Sequence, residues 1–247
     1  MMVMMRRVVL VVLIVTVAAA LSGCVVRRAE DTETRSEIRT VSGFDRVEFS
    51  GYGSLDIVQG DRFELELTGP ADLVERTETE VKGDTLLIGQ KASWTFWLFN
   101  MGSRKIDVRL VVPELSAVEV SGAGDVTIDG LEGDSFEFRL SGAGELSGSD
   151  LDLDELTVDM SGAGKTELDG RADSQDITVS GAGEFDGRDL KGRDVRIEMS
   201  GAGKATVWAE DDLEIQASGA GSVEYYGNPT VTSDLSGVGS VEDRGER

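Results

Sequence analysis

Four residues, Ser-Gly-Ala-Gly, recur along this chain at a nearly fixed step, and that step decides what it can fold into. Copies start at Ser121, Ser141, Ser161, Ser180, Ser200 and Ser218, and a last copy, starting at Ser236, carries Val238 in place of alanine. The steps between them are 20, 20, 19, 20, 18 and 18 residues. A period near 20 means a stacked repeat, in which no single unit can bury its apolar face alone. The residues one and three places before the serine are apolar in the six copies up to Ser218, as in Val118 and Val120, Phe138 and Leu140, or Ile177 and Val179. That alternation of two predicts a half-buried strand entering each copy. The second residue after the motif is often apolar too (Val126, Leu146, Phe185, Val223, Val241), so a second strand leaves it. Asp129-Gly130, Asp169-Gly170 and Asp186-Gly187 are turn residues that close the coil.

The pattern predicts an all-β chain with a parallel β-helix over residues 115–242, right-handed by the crossover preference of parallel strands. With rungs about 4.8 Å apart, its corners span roughly 29 Å of axis. The glycines fit a corner that needs positive φ or close backbone approach. The alanine is expected to point inward, and the serines to share hydroxyl hydrogen bonds along the stack. Charges follow the same register. The residue after each motif is Asp125, Glu145, Lys165, Glu184 and Lys204, alternating in sign from Glu145 onward, which avoids stacked like charges.

Upstream, Asp45 to Ile57 is a divergent copy, since its apolar positions match those of Ser116 to Ile128 one for one. The stack is therefore expected to begin near residue 44, with an insertion before the regular array; residues 41–114 hold both. Phe63 to Thr68, Thr85 to Ile88 and Ile106 to Val112 read as strands, and Pro70 to Glu80 as a short helix with proline in its first turn. The insertion also holds Trp94-Thr95-Phe96-Trp97-Leu98-Phe99, the densest aromatic run in a chain with 6% aromatics. It reads first as a cap over a free end of the stack. Its second reading is an exposed docking loop, with Trp94, Phe96, Trp97 and Phe99 as candidate binding residues.

The first 23 residues read as an export signal. Arg6 and Arg7 precede an apolar run from Val8 to Ala20, too short to span a bilayer comfortably. Leu21-Ser22-Gly23-Cys24 follows and resembles the lipobox of bacterial lipoproteins, which implies cleavage before Cys24 and lipidation of its thiol. The partner at this point is a membrane, and the location is the cell envelope, at the outer membrane in a Gram-negative cell. Residues 24–40 are polar and read as a flexible tether; residues 243–247 read as a polar tail.

Composition narrows the function. A net charge of −23 argues against nucleic acid, whose phosphates need clustered Lys and Arg. The absence of histidine removes the usual general base and most zinc sites. A single cysteine excludes an internal disulfide. The Gly-x-Gly element recurs at solenoid spacing and opens no helix, so it is not a phosphate loop. Asp150, Asp152, Asp154 and Glu155 read as a solvated strand face between Leu151, Leu153 and Leu156, rather than a calcium site or the carboxylates of a polysaccharide-cleaving β-helix. No catalytic, cofactor or metal residue is expected.

The lipobox, the first copy Phe44 to Gly51, the segment Glu80 to Gly89, and Val112-Pro113-Glu114-Leu115 leading into Ser-Gly-Ala-Gly coils together resemble the auto-transporter adhesin, head GIN domain family over roughly residues 40–240. The resemblance implies a secreted or lipid-anchored β-helical protein and brings no catalytic residues. The expected function is a non-enzymatic, adhesin-like binding module with a glycan or protein partner. The alternatives are a structural envelope lipoprotein without a dedicated ligand and, further off, a polysaccharide-active enzyme.

Overall fold

The computed structural model describes residues 33–90 and 105–246. Met1 to Cys24, the expected tether up to residue 32, and the run Trp94 to Phe99 lie outside the described residues, and Thr34–Arg39, expected as flexible tether, is instead a strand held by backbone pairing. Strands dominate, wound into a β-solenoid of about 6 turns.

The first copy of the repeat forms β1's successor strands: after β1 (Thr34–Arg39) come β2 (Arg46–Gly51) and β3 (Gly53–Gln59), one on each side of a corner. The regular coils are β8 (Ala117–Gly122), β9 (Asp125–Asp129), β10 (Glu132–Gly142), β11 (Glu145–Gly162), β12 (Lys165–Gly181), β13 (Glu184–Gly201) and β14 (Lys204–Gly219). The last turn is β15 (Ser222–Tyr226), β16 (Thr230–Gly237) and β17 (Ser240–Asp243). All these neighbours pair in parallel. Ser50, Ser121, Ser141, Ser161, Ser180, Ser200, Ser218 and Ser236 stand in one register row, as the spacing requires.

Inside, the alternation before each serine builds two continuous columns. One runs Phe49, Val120, Leu140, Met160, Val179, Met199, Ala217; on the far side of the corner Leu55, Val126, Leu146, Thr166, Phe185, Ala205 and Val223 form another. Nearly every member is buried, with Leu55, Leu146 and Phe185 fully so. Large and small residues share each column, which lets one stack fill without voids.

The corner is built differently from the expectation. Ala163 is exposed and Gly164 is buried, and the same holds for the alanine and second glycine of every other regular copy. Gly162 sits at φ +141, and a Cβ there would stand 2.2 Å from the carbonyl oxygen of Gly142. This left-handed conformation bends the chain at Gly162 and leaves that residue exposed, while the parity of the buried positions continues unchanged from Met160 to Thr166. Serine, first glycine and alanine therefore form the convex outside of the corner, and the second glycine faces the core. A Cβ on Gly164 would meet Leu140 Cδ2 at 2.2 Å. Val238 is tolerated because its site is open: it is 83% exposed. The ladder continues through the bend, with the Ala163 N–H donating to Gly142 O at 3.0 Å.

The insertion also departs from expectation. After β4 (Glu64–Pro70), the helix α1 covers only Ala71–Arg76; Thr77–Lys82 is strand β5, not helix. Then β6 (Thr85–Gln90) pairs in parallel with β2, and β7 (Ile106–Val112) in parallel with β3. The insertion thus adds a rung outside the first copy, so the stack does not begin with residue 44. On this rung β5 lies antiparallel to β6, β4 antiparallel to β7, and β1 antiparallel to β4. These strands close the N-terminal end of the solenoid. Gln59 ties the insertion to the array: its Nε2 donates to the carbonyls of Pro113 and Glu132, and its Oε1 accepts from the Glu132 N–H at 2.8 Å.

Candidate functional site

The outer side of the strands leading into the corner carries two register columns of polar side chains. Thr178, Glu198, Gln216 and Asp234 form one, and Ser180, Ser200, Ser218 and Ser236 the other. Between them runs a shallow groove of about 360 Å³ that spans four successive coils, with Met199 and Ala217 at its floor. The Ser200 hydroxyl lies 3.4 Å from that of Ser180. Ser161 and Ser218 instead donate to the carbonyls of Leu140 and Met199. The expected hydroxyl ladder is therefore partial, and most serine oxygens keep acceptor capacity toward solvent.

Charge along this face is organised by arginines. Arg196 reaches Glu198 at 2.6 Å and Glu214 at 3.3 Å. Arg139 bridges Glu137 and Asp159, and Glu137 also meets Arg46 at 3.0 Å. The hydrogen bond that Arg196 donates to Glu198 and the charge of Glu214 hold its guanidinium above the ordinary pKa. Burial pushes the Asp176 carboxyl upward, with Arg196 opposing. At the coil-closing turn, burial would raise Asp186, but the paired hydrogen bonds from Arg188 at 2.7 and 2.5 Å outweigh it and leave that carboxyl below the usual range.

Of the residues singled out in sequence, Cys24 and the aromatic candidates Trp94, Phe96, Trp97 and Phe99 fall outside the described residues. The attachment of the aromatic segment is clear. Residues 91–105 join β6 to β7, the same two columns that Gly51-Tyr52-Gly53 joins between β2 and β3. Asp150, Asp152, Asp154 and Glu155 are exposed while Leu151, Leu153 and Leu156 are buried, as a solvated strand face requires. Asp150 has φ +53, and its N–H donates to Asp169 Oδ1. Among the described residues no three His, Cys, Asp or Glu side chains are placed to hold a metal ion. The groove was not anticipated. Its signal was present in the outward positions of the same alternation that revealed the core.

The described residues thus form a parallel solenoid with a shallow polar groove along its outer strands. The sequence over residues 43–229 matches the family described as "Putative auto-transporter adhesin, head GIN domain", and the chain belongs to that family. The fold is shared with a putative adhesin from Bacteroides fragilis (TM-score 0.79, 24% identity, 85% of this chain and 97% of that one). It is shared as well with a putative lipid binding protein from Parabacteroides distasonis (TM-score 0.70, 22% identity, 86% and 97%). A putative adhesin from Parabacteroides merdae follows (TM-score 0.62, 20% identity, 86% and 97%). At these identities the likeness concerns fold. Comparison with curated proteins finds no match.

Proposed function

We propose that this protein is a non-enzymatic, adhesin-like module of the cell envelope, anchored through a lipidated Cys24, that binds a glycan along its outer strands. The observation that carries the reading is the groove lined by Ser180, Ser200, Ser218, Thr178, Gln216 and Glu198. Hydroxyl, amide and carboxylate groups repeated at each coil can donate to and accept from successive sugar hydroxyls, each contact modest and the row additive. The lipid-binding name carried by one structural neighbour suggests another ligand class. The polar lining here suits sugar hydroxyls better than an acyl chain.

Binding to immobilised envelope polysaccharides, measured by surface plasmon resonance at two salt concentrations, tests this. The expected result is binding that falls when Ser200 and Gln216 are both replaced by alanine. Replacing Trp94 and Trp97 by alanine separates the roles of the aromatic loop: lost binding with unchanged melting makes it a contact, and a lowered melting temperature makes it a cap. Absence of any glycan partner supports a purely structural lipoprotein. Cleavage of a polysaccharide that is lost on replacing Asp150, Asp152 or Asp154 would move the protein into the enzyme class. Loss of lipid labelling in Cys24→Ser tests the anchor.

A further inference from the structure

The two ends of the solenoid are finished differently. At the N-terminal end, the rung formed by β6 and β7 is covered by antiparallel strands, and the outermost of these are heavily charged. β1 carries Arg35, Glu37 and Arg39, and β5 carries Glu78, Glu80 and Lys82. Charge on an edge strand discourages further pairing. At the C-terminal end, β16 pairs only with β14 and β17 only with β15 among the described residues. All eight residues of β16 are exposed, and Asp234 is its sole charge. Val231 and Leu235, which continue the inward-facing positions of Leu213 and Ala217, are 37% and 44% exposed. This is an unguarded edge with apolar side chains on its core side.

We infer that this end pairs with the same end of a second copy, β16 against β16 in antiparallel register about Ser233. Two identical ends meet in a closed pair through a two-fold axis, and the axis that keeps the core sides of both copies on one face makes the strands antiparallel. The sequence Thr230-Val-Thr-Ser-Asp-Leu-Ser236 is self-complementary about that point. Val231 comes opposite Leu235 of the second copy, so apolar positions meet on the core side. Asp234 comes opposite Thr232, and Thr230 opposite Ser236, so the outer side sets no like charges against each other. A register slipped by one would set apolar positions against outward polar ones. The opposite end shows that these rungs accept antiparallel strands, since β4 runs against β7 and β5 against β6. Pairing would also carry the polar groove, which already includes Asp234 and Ser236, onward into Thr232 and Thr230 of the copy. The pairing itself does not depend on what the groove binds.

Disulfide trapping in membranes bearing the full chain tests the contact. Ser233→Cys places two thiols opposite each other on the axis. The expected result is a covalent species of twice the chain mass under mild oxidation, absent for Ser147→Cys on a middle coil. Adding Leu235→Glu to Ser233→Cys should abolish that species while the melting temperature stays close to that of Ser233→Cys alone. Because each copy is strongly acidic, trapping should increase with salt as repulsion is screened. The inference fails if Ser233→Cys traps no better than Ser147→Cys. It fails equally if the adduct has a mass other than twice the chain, which would assign the edge to a different partner.

Discussion

At the scale of single residues, the corner shows how strand alternation sets which residue faces the core. Carrying strand alternation straight through Ser161-Gly162-Ala163-Gly164 puts alanine outside and Gly164 inside; the structure keeps that parity and departs from it only at the left-handed Gly162, which is exposed. The facing was therefore legible in the spacing, since Val158, Met160 and Thr166 all share the parity of Gly164. It makes a sharp contrast: Gly164→Ala should destabilise by about 1–3 kcal/mol through overpacking against Leu140. Ala163→Leu, on the exposed side, should shift the denaturant midpoint hardly at all. Thr166 offers a gain. It is fully buried between Leu146 and Phe185, and its hydroxyl has no partner. Thr166→Val keeps the shape and removes the orphan oxygen, so thermal unfolding should show about 1 kcal/mol of added stability. Asp186 gives a pH signature. Its carboxyl is depressed in the folded state by Arg188, so its contribution is present above the ordinary carboxylate range and fades as acid protonates it. Asp186→Asn should cost about 1 kcal/mol at neutral pH, and the difference from the parent should close in denaturant titrations taken progressively below pH 4.

At the scale of elements, the regular coils were legible because every copy repeats the same inward pair before its serine. The first copy was legible for the same reason despite lacking the motif. The extra rung was not. Its two strands, β6 and β7, lack the Ser-Gly-Ala-Gly join and stand apart in sequence, so nothing local marks them as one coil. The helix was overextended because Thr77-Glu78-Thr79-Glu80 alternates in polar residues alone, which hides a strand whose only well-buried member is Thr77. What holds this cap together is a single arginine. Arg39 on β1 donates to the carbonyls of Val74 and Thr77, where α1 ends, and to Thr79 on β5. These carbonyls belong to the last turn, where cations are favoured. Arg39→Ala should lower stability by about 1.5–3 kcal/mol, and Arg39→Lys should recover little because one ammonium cannot reach the same acceptors. Hydrogen exchange should show the loss concentrated in α1 and β5.

At the scale of the whole molecule, stability is distributed as in a one-dimensional array, where each coil is held by two neighbours and an end coil by one. The middle strands β11 to β13 have a partner on both sides along their length. Amide exchange should therefore be slowest there and fastest in β16 and β17, with the capped N-terminal rung between; uniform protection along the stack would contradict this account.

The outward-facing alanines have a consequence for how such a chain can change over time. They mark a row of sites, one per coil, where the backbone bends on the outside of the molecule and the interior takes no part. In sequence, β6 and β7, which continue the columns of β2 and β3, are separated by residues 91–105, whereas Tyr52 alone separates β2 from β3. The row therefore works as a set of sockets about 4.8 Å apart. Each can be lengthened, shortened or replaced while the packed columns behind it stay as they are, so novelty at the surface and constancy of the core are assigned to different residues of the same four-letter motif.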